Sequence, residues 1–199
     1  MIITDIQKVY RKNKYDVYVD GEKAFQLSDV GIINCGLKVG REFEKEELNE
    51  LVSEAIKADV FETLLNILGQ TALTEGVAKT KLRQKGFDDE NIDFAIEKAI
   101  SYGYINDKEY AKSYIQYTKN KSKLRITSEL FKKGIEKYIF DEFLNDYDEL
   151  EACKNAMRSH INGELDKDEQ KKLFQRFYMQ GFPIETIKQA YFELLDYRS

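Results

Sequence analysis

Leu82-Arg83-Gln84-Lys85-Gly86-Phe87 returns as Leu130-Phe131-Lys132-Lys133-Gly134-Ile135 and again as Phe177-Tyr178-Met179-Gln180-Gly181-Phe182. In each copy an apolar residue stands four positions before the glycine and another follows it directly, and the glycines lie 48 and 47 residues apart. A period that regular marks tandem units that bury their apolar faces by stacking. A helix that stops with one residue in the left-handed conformation favours glycine there, and the apolar residue beyond it closes over the last turn. Helix ends are therefore predicted at Gly86, Gly134 and Gly181, the structural turns of three repeats.

An amphipathic stripe follows each glycine: Ile92, Ala95, Ile96, Ala99 and Ile100; then Ile139, Phe140, Phe143 and Leu144; then Ile184, Ile187, Tyr191, Leu194 and Leu195. Each stripe needs a partner face. The preceding segments supply one: Phe61, Leu64, Leu65 and Leu68; Tyr110, Tyr114 and Ile115; Leu150, Cys153, Met157 and Ile161. That makes three helices per unit. Helix starts are marked by Asn106 with Glu109 and by Asp166 with Glu169, the spacing at which a side chain satisfies free amide donors. Pro183 suits a first helical position, where the missing N–H is not needed.

Ahead of the repeats, Tyr15-Asp16-Val17-Tyr18-Val19 is rich in strand formers, and Asp20-Gly21 suits a two-residue hairpin turn. Lys23 to Leu27 alternates polar and apolar as a half-buried return strand does. A third strand fits Ile2 to Tyr10, and Ser28 suits the cap of a short helix through Ile33 that stops near Gly36. The expected fold is mainly α: three tandem three-helix repeats in an elongated curved array, preceded by a small hairpin or three-stranded β unit. The expected boundaries are 1–45 for the β-containing unit, 46–58 for a connecting helix, and 59–105, 106–147 and 148–199 for the repeats.

No apolar run of about 18 residues exists and charges break up the N-terminus, so neither a membrane span nor a signal peptide is expected, and the chain is placed in the cytoplasm. Cys35 and Cys153 stand alone, without a second Cys or His at ligand spacing, and are read as small buried hydrophobes. His160 is the only histidine, which leaves no serine or cysteine triad to assemble. Gly36 to Arg41 lacks the phosphate-loop pattern and reads as a turn. Acid clusters at Asp88-Asp89-Glu90 and Asp166 to Glu169 sit where carboxylates oppose a helix dipole. No enzyme activity, cofactor or metal is expected.

One segment stands out by charge. Between positions 112 and 133 lie Lys112, Lys119, Lys121, Lys123, Arg125, Lys132 and Lys133 against the single acid Glu129, inside a chain of net charge −5. Tyr110, Tyr114 and Tyr117 precede its densest part, and aromatic rings beside cations can stack on bases or on a protein partner. Lys112, Tyr114, Tyr117, Lys119, Lys121, Lys123, Arg125, Lys132 and Lys133 are the candidate binding residues. Solvated helix-face charges with core tyrosines would give the same pattern.

Val77 to Phe87, Gly103-Tyr104-Ile105-Asn106-Asp107 with Tyr110-Ala111 and Tyr114-Ile115, Leu124-Arg125-Ile126 with Glu129-Leu130, and Lys132-Lys133-Gly134-Ile135 together resemble the RecX family. A weaker third echo ends at Gln180-Gly181-Phe182, so the resemblance spans about Asp59 to Leu195. It implies tandem three-helix repeats and a regulator that binds RecA recombinase filaments on single-stranded DNA, limiting filament growth and damping strand exchange, ATP hydrolysis and coprotease activity. Two departures are visible: where the family usually has a basic residue and a Ser or Thr before the second helix of its first repeat, this chain reads Gly69-Gln70-Thr71-Ala72-Leu73-Thr74, and the family's glycine near Ser122 is missing. A monomer is expected, with single- or double-stranded DNA as a further partner. Direct DNA binding without RecA, and a helical-repeat adaptor for an unrelated protein, are the competing readings.

Overall fold

The computed structural model describes residues 1–10, 14–161, 163 and 165–196. They divide into two units: Met1–Leu73 with Ala78–Ile105, and Thr74–Val77 with Asn106 onward.

The first unit opens with three antiparallel strands in the order β1 (Ile3–Lys8), β2 (Tyr15–Val19), β3 (Glu22–Leu27). Asp20 and Gly21 both take positive φ, 51° and 89°, the two-residue turn whose twist matches that of the flanking strands. Val19 accordingly pairs with Glu22 and Val17 with Phe25, so Val17, Val19 and Leu27 are buried. Ser28 caps α1 (Asp29–Asn34) by accepting from Gly31 N–H. Its own N–H and hydroxyl both donate to the Asp59 carboxylate on α2 (Lys45–Leu68). Ile3, Leu27, Leu37, Phe43, Leu48 and Val52 make the core between sheet and helices. A hairpin of this size is marginal alone, and α2 supplies the apolar face it needs.

α2 runs unbroken through positions 58 and 59, so one helix serves two cores. Its second half joins α3 (Glu75–Gln84) and α4 (Asp89–Ser101) around Val60, Leu64, Leu82, Ile92 and Ile96. Three residues of the expected stripes face outward instead: Leu65 is 36% and Ile100 44% exposed, each at the edge of its helix's apolar arc, and Ile184, the first residue of the third stripe, is 39% exposed.

In the second unit, α5 (Asp107–Tyr117), α6 (Lys123–Lys132) and α7 (Lys137–Asn145) enclose Ile115, Ile126, Leu130, Ile135 and Phe140. α8 (Glu149–Met157), α9 (Lys167–Met179) and α10 (Ile184–Asp196) enclose Cys153, Met157, Phe177, Phe182, Ile187 and Tyr191. The period in the sequence is thus three helices around one core, repeated. Asn106 caps α5 through Glu109 N–H, and Asp166 with Glu169 forms a full capping box on α9. Pro183 stands one residue before α10, where its carbonyl accepts the first helical bond from Ile187, rather than inside the helix. Among the described residues no helix is long and apolar enough to cross a membrane.

The repeated glycines share one geometry. Gly86, Gly134 and Gly181 have φ of 88°, 83° and 91°. After each, the next N–H reaches back to a carbonyl five residues earlier: Phe87 to Leu82, Ile135 to Leu130, Phe182 to Phe177. This is the Schellman closure, and the same two residues of each pair make its apolar contact.

Candidate functional site

The basic segment does not form one uniform face. Glu129, on α6, gathers three of its members: Tyr114 donates its hydroxyl to the carboxylate, Lys121 Nζ lies 2.6 Å away and Arg125 Nε 3.1 Å away. Lys121 also donates to the Tyr114 oxygen at 2.8 Å. Burial works against the ionised carboxylate, but the hydrogen bonds from Lys121, Tyr114 and Arg125 outweigh it and bring Glu129 down to about 2. Burial and the Glu129 carboxylate push the Tyr114 phenol up. The cluster ties α6 to α5 and sets two cations against one carboxylate, so it keeps a single net positive charge, with the Arg125 side chain 51% exposed.

The rest divides further. Lys133 Nζ sits 5.4 Å from the Tyr110 ring centre, and Tyr110 stacks on Tyr114 with planes only 8° apart. Lys112 approaches Glu109 at 3.9 Å. Lys119, Lys123 and Lys132 make no ion pair among the described residues. Tyr117 is 79% exposed.

Cations also recur by position in the repeat, outside the basic segment. α3 carries Lys79, Lys81 and Arg83 against Glu75; α6 carries Lys123, Arg125 and Lys132 against Glu129; α9 carries Lys167, Lys171, Lys172 and Arg176 against Asp168 and Glu169. Each second helix is net basic, whereas α4, α7 and α10 are net acidic. The acids that cap α9 hide its cations from a window count. In the first unit Lys79 and Arg83 are paired with Asp93 and Asp89 of α4. In the second, all four cations of α9 are exposed and make no ion pair among the described residues.

α6 and α9 meet end to end. Ser122, the cap of α6, donates its hydroxyl to the carbonyl of Gln180, the C-cap of α9, at 2.8 Å, while accepting from Arg125 N–H. The Lys123 N–H donates to Glu149 at the start of α8. The same pattern recurs 48 residues earlier: Thr74 donates to the Lys133 carbonyl at 2.6 Å and accepts from Val77 N–H, and Glu75 N–H donates to Asp107 at the start of α5. Thr74 and Ser122 are the two buried polar side chains among the described residues. The negative end of one helix thereby faces the positive end of the next, a favourable dipole arrangement. The free cations of α6 and α9 are carried on one continuous pair of helices, with Leu124, Phe131, Tyr178 and Met179 exposed among them.

No family model matches the chain. The regulatory protein RecX of Caldanaerobacter subterraneus subsp. tengcongensis is 33% identical over 196 residues, covering 96% of this chain and 98% of its own. The chain belongs to the RecX family. The regulatory protein RecX of Clostridioides difficile is 27% identical, covering 98% and 97%. A crystal structure of regulatory protein RecX superposes with a TM-score of 0.64 at 24% identity over 94% of this chain, which bears on the fold alone. A crystal structure of RecX from Lactobacillus salivarius gives 0.60 at 27% identity over 70% of this chain and 96% of its own. The small antiparallel sheet followed by helices is thus a RecX-family architecture in this chain.

Among the described residues, no group of three or more His, Cys, Asp and Glu side chains is placed to hold a metal ion. His160 follows α8 and packs edge-on against Phe177, with ring centres 5.6 Å apart. Both thiols are buried, and burial pushes the Cys153 thiol up to about 12.

Proposed function

We propose that this RecX-family chain acts by binding rather than by catalysis: it engages a RecA recombinase filament on single-stranded DNA in the cytoplasm and restrains its recombination, ATPase and coprotease activities. Its relatives are named regulatory proteins, which supports a regulatory role. The observation that carries the reading is the end-to-end seating of α6 on α9, which puts Lys123, Lys132, Lys167, Lys171, Lys172 and Arg176 on one pair of helices, none of them in an ion pair among the described residues. Unpaired cations beside exposed Tyr178 suit a nucleoprotein polyanion.

The test is the single-stranded-DNA-dependent ATPase of the cognate RecA, titrated with the wild-type chain and with a variant changing Lys123, Lys132, Lys171 and Arg176 to Ala. Suppression by the wild type at substoichiometric amounts, relieved in the variant, is the expected result; no suppression by the wild type in excess would overturn the reading. Direct DNA binding without RecA draws on the same cations. It would show as tight binding to a bare oligonucleotide that weakens by about 10³-fold between low and moderate salt.

A further inference from the structure

Beside the basic segment lies an open groove of about 480 Å³ between α5 and the α7–α8 junction, within the second unit. Its floor is apolar: Ile115 and Ala152 are buried, and Phe143 and Tyr147 are partly buried. The Tyr147 hydroxyl donates to the Lys121 carbonyl at 2.8 Å, so that ring is held in place before anything binds. Lys112 and Lys119 stand on one rim, and Asp146, Asp148 and Glu151 on the other.

Most of these charges are already engaged. The Asp148 carboxylate accepts the Glu151 N–H, Glu151 is paired with Lys154 and Arg158, and Lys112 approaches Glu109. Lys119 and Asp146 make no ion pair among the described residues, and both are exposed. The groove therefore offers one free positive charge, one free negative charge and an apolar seat between them. A phosphodiester strand laid there would bring its charge against three carboxylates. A polypeptide can present one side chain of each sign, and complementary charge fixes its register.

We propose that this groove seats a segment of a partner protein, with an apolar side chain on the Phe143–Tyr147 floor, a basic side chain at Asp146 and an acidic one at Lys119. The proposal rests on the reading of the chain as a RecA-binding regulator. It assigns Lys112 and Lys119 to a protein contact and leaves the polyanion to Lys123, Lys132 and α9.

The experiment measures association of the full chain with cognate RecA free of DNA and, separately, with a bare oligothymidylate, for wild type, Asp146→Lys and Lys119→Glu. Both substituted positions are exposed, and circular dichroism and the unfolding midpoint check that each variant is folded. Each variant should lose about tenfold or more in affinity for RecA, with Asp146→Lys binding the oligonucleotide as the wild type does. RecA binding equal to wild type in both variants would overturn the groove. So would tighter oligonucleotide binding by Asp146→Lys with weaker binding by Lys119→Glu, which would make the groove a nucleic-acid site. If the wild type itself fails to bind RecA, the broader functional reading has failed and the groove assignment falls with it, a result distinct from unaffected variants.

Discussion

The hydroxyl of Ser122 donates to the carbonyl of Gln180 at 2.8 Å while accepting the N–H of Arg125, so one buried oxygen caps the start of α6 and the end of α9 together. Thr74 does the same for the first turn of α3 and the end of α6 through Lys133. Removing either hydroxyl leaves a buried carbonyl and an amide without their partner. Ser122→Ala should therefore lower unfolding free energy by about 1–3 kcal/mol, and Thr74→Val should cost a similar amount despite its matching shape, both read from urea denaturation midpoints.

Gly86 and Gly181 share the left-handed backbone but not the surroundings. A β-carbon at Gly86 would meet nothing within 4 Å, whereas one at Gly181 would come to 2.7 Å from the Ser122 hydroxyl oxygen and 3.2 Å from Leu124. Gly86→Ala should cost only the backbone term, about 1–2 kcal/mol. Gly181→Ala should cost more, because it also forces apart the contact between helix ends. Equal losses of stability in the two variants would show that the close approach at Gly181 contributes nothing.

Glu129 sets a pH dependence whose sign follows from its environment. Its carboxyl lies at about 2 in the folded chain against an ordinary 4.5, so the unfolded chain takes up the proton first as pH falls. The stability contributed by its contacts with Lys121, Tyr114 and Arg125 is complete above about pH 5 and is lost progressively down to about pH 2. Glu129→Gln should flatten that part of the stability profile, measured by denaturation at stepped pH.

Cys35 and Cys153 are both buried, and burial raises both thiols. Since the thiolate is the reactive form, neither should react with an aromatic disulfide reagent at neutral pH on the timescale of an exposed thiol. Both should react at once in denaturant. Rapid labelling of the native chain would place a thiol at the surface.

The repeats were legible because their signals are local. An apolar residue four positions before a glycine and another directly after it is the Schellman pattern written in sequence, and Asp20-Gly21 is a turn with few alternatives. The unbroken passage of α2 from one core to the next was not legible, since nothing in the sequence of a continuous helix marks where it changes neighbours. The binding face was only partly legible. Lys121 and Arg125 look as free as Lys123 and Lys132 in the sequence, and only folding brings Glu129 between them. The cations of α9 were lost for the opposite reason: Asp166, Asp168 and Glu169 cancel them in a running count but are confined to the first turn, where two of them serve the cap.

The capping arrangements also imply a rule for lengthening this chain. The starts of α3 and α6 each borrow a carboxylate from the helix two further on and a carbonyl from the end of the helix three further on, whereas α9 closes its own start with Asp166 and Glu169. An extra copy of residues 106–147 spliced after Tyr147, in the turn between α7 and α8, would carry both a borrowing start and a lending end, so it could be inserted in series without cutting a helix. Variation in repeat number is then a matter of duplication alone.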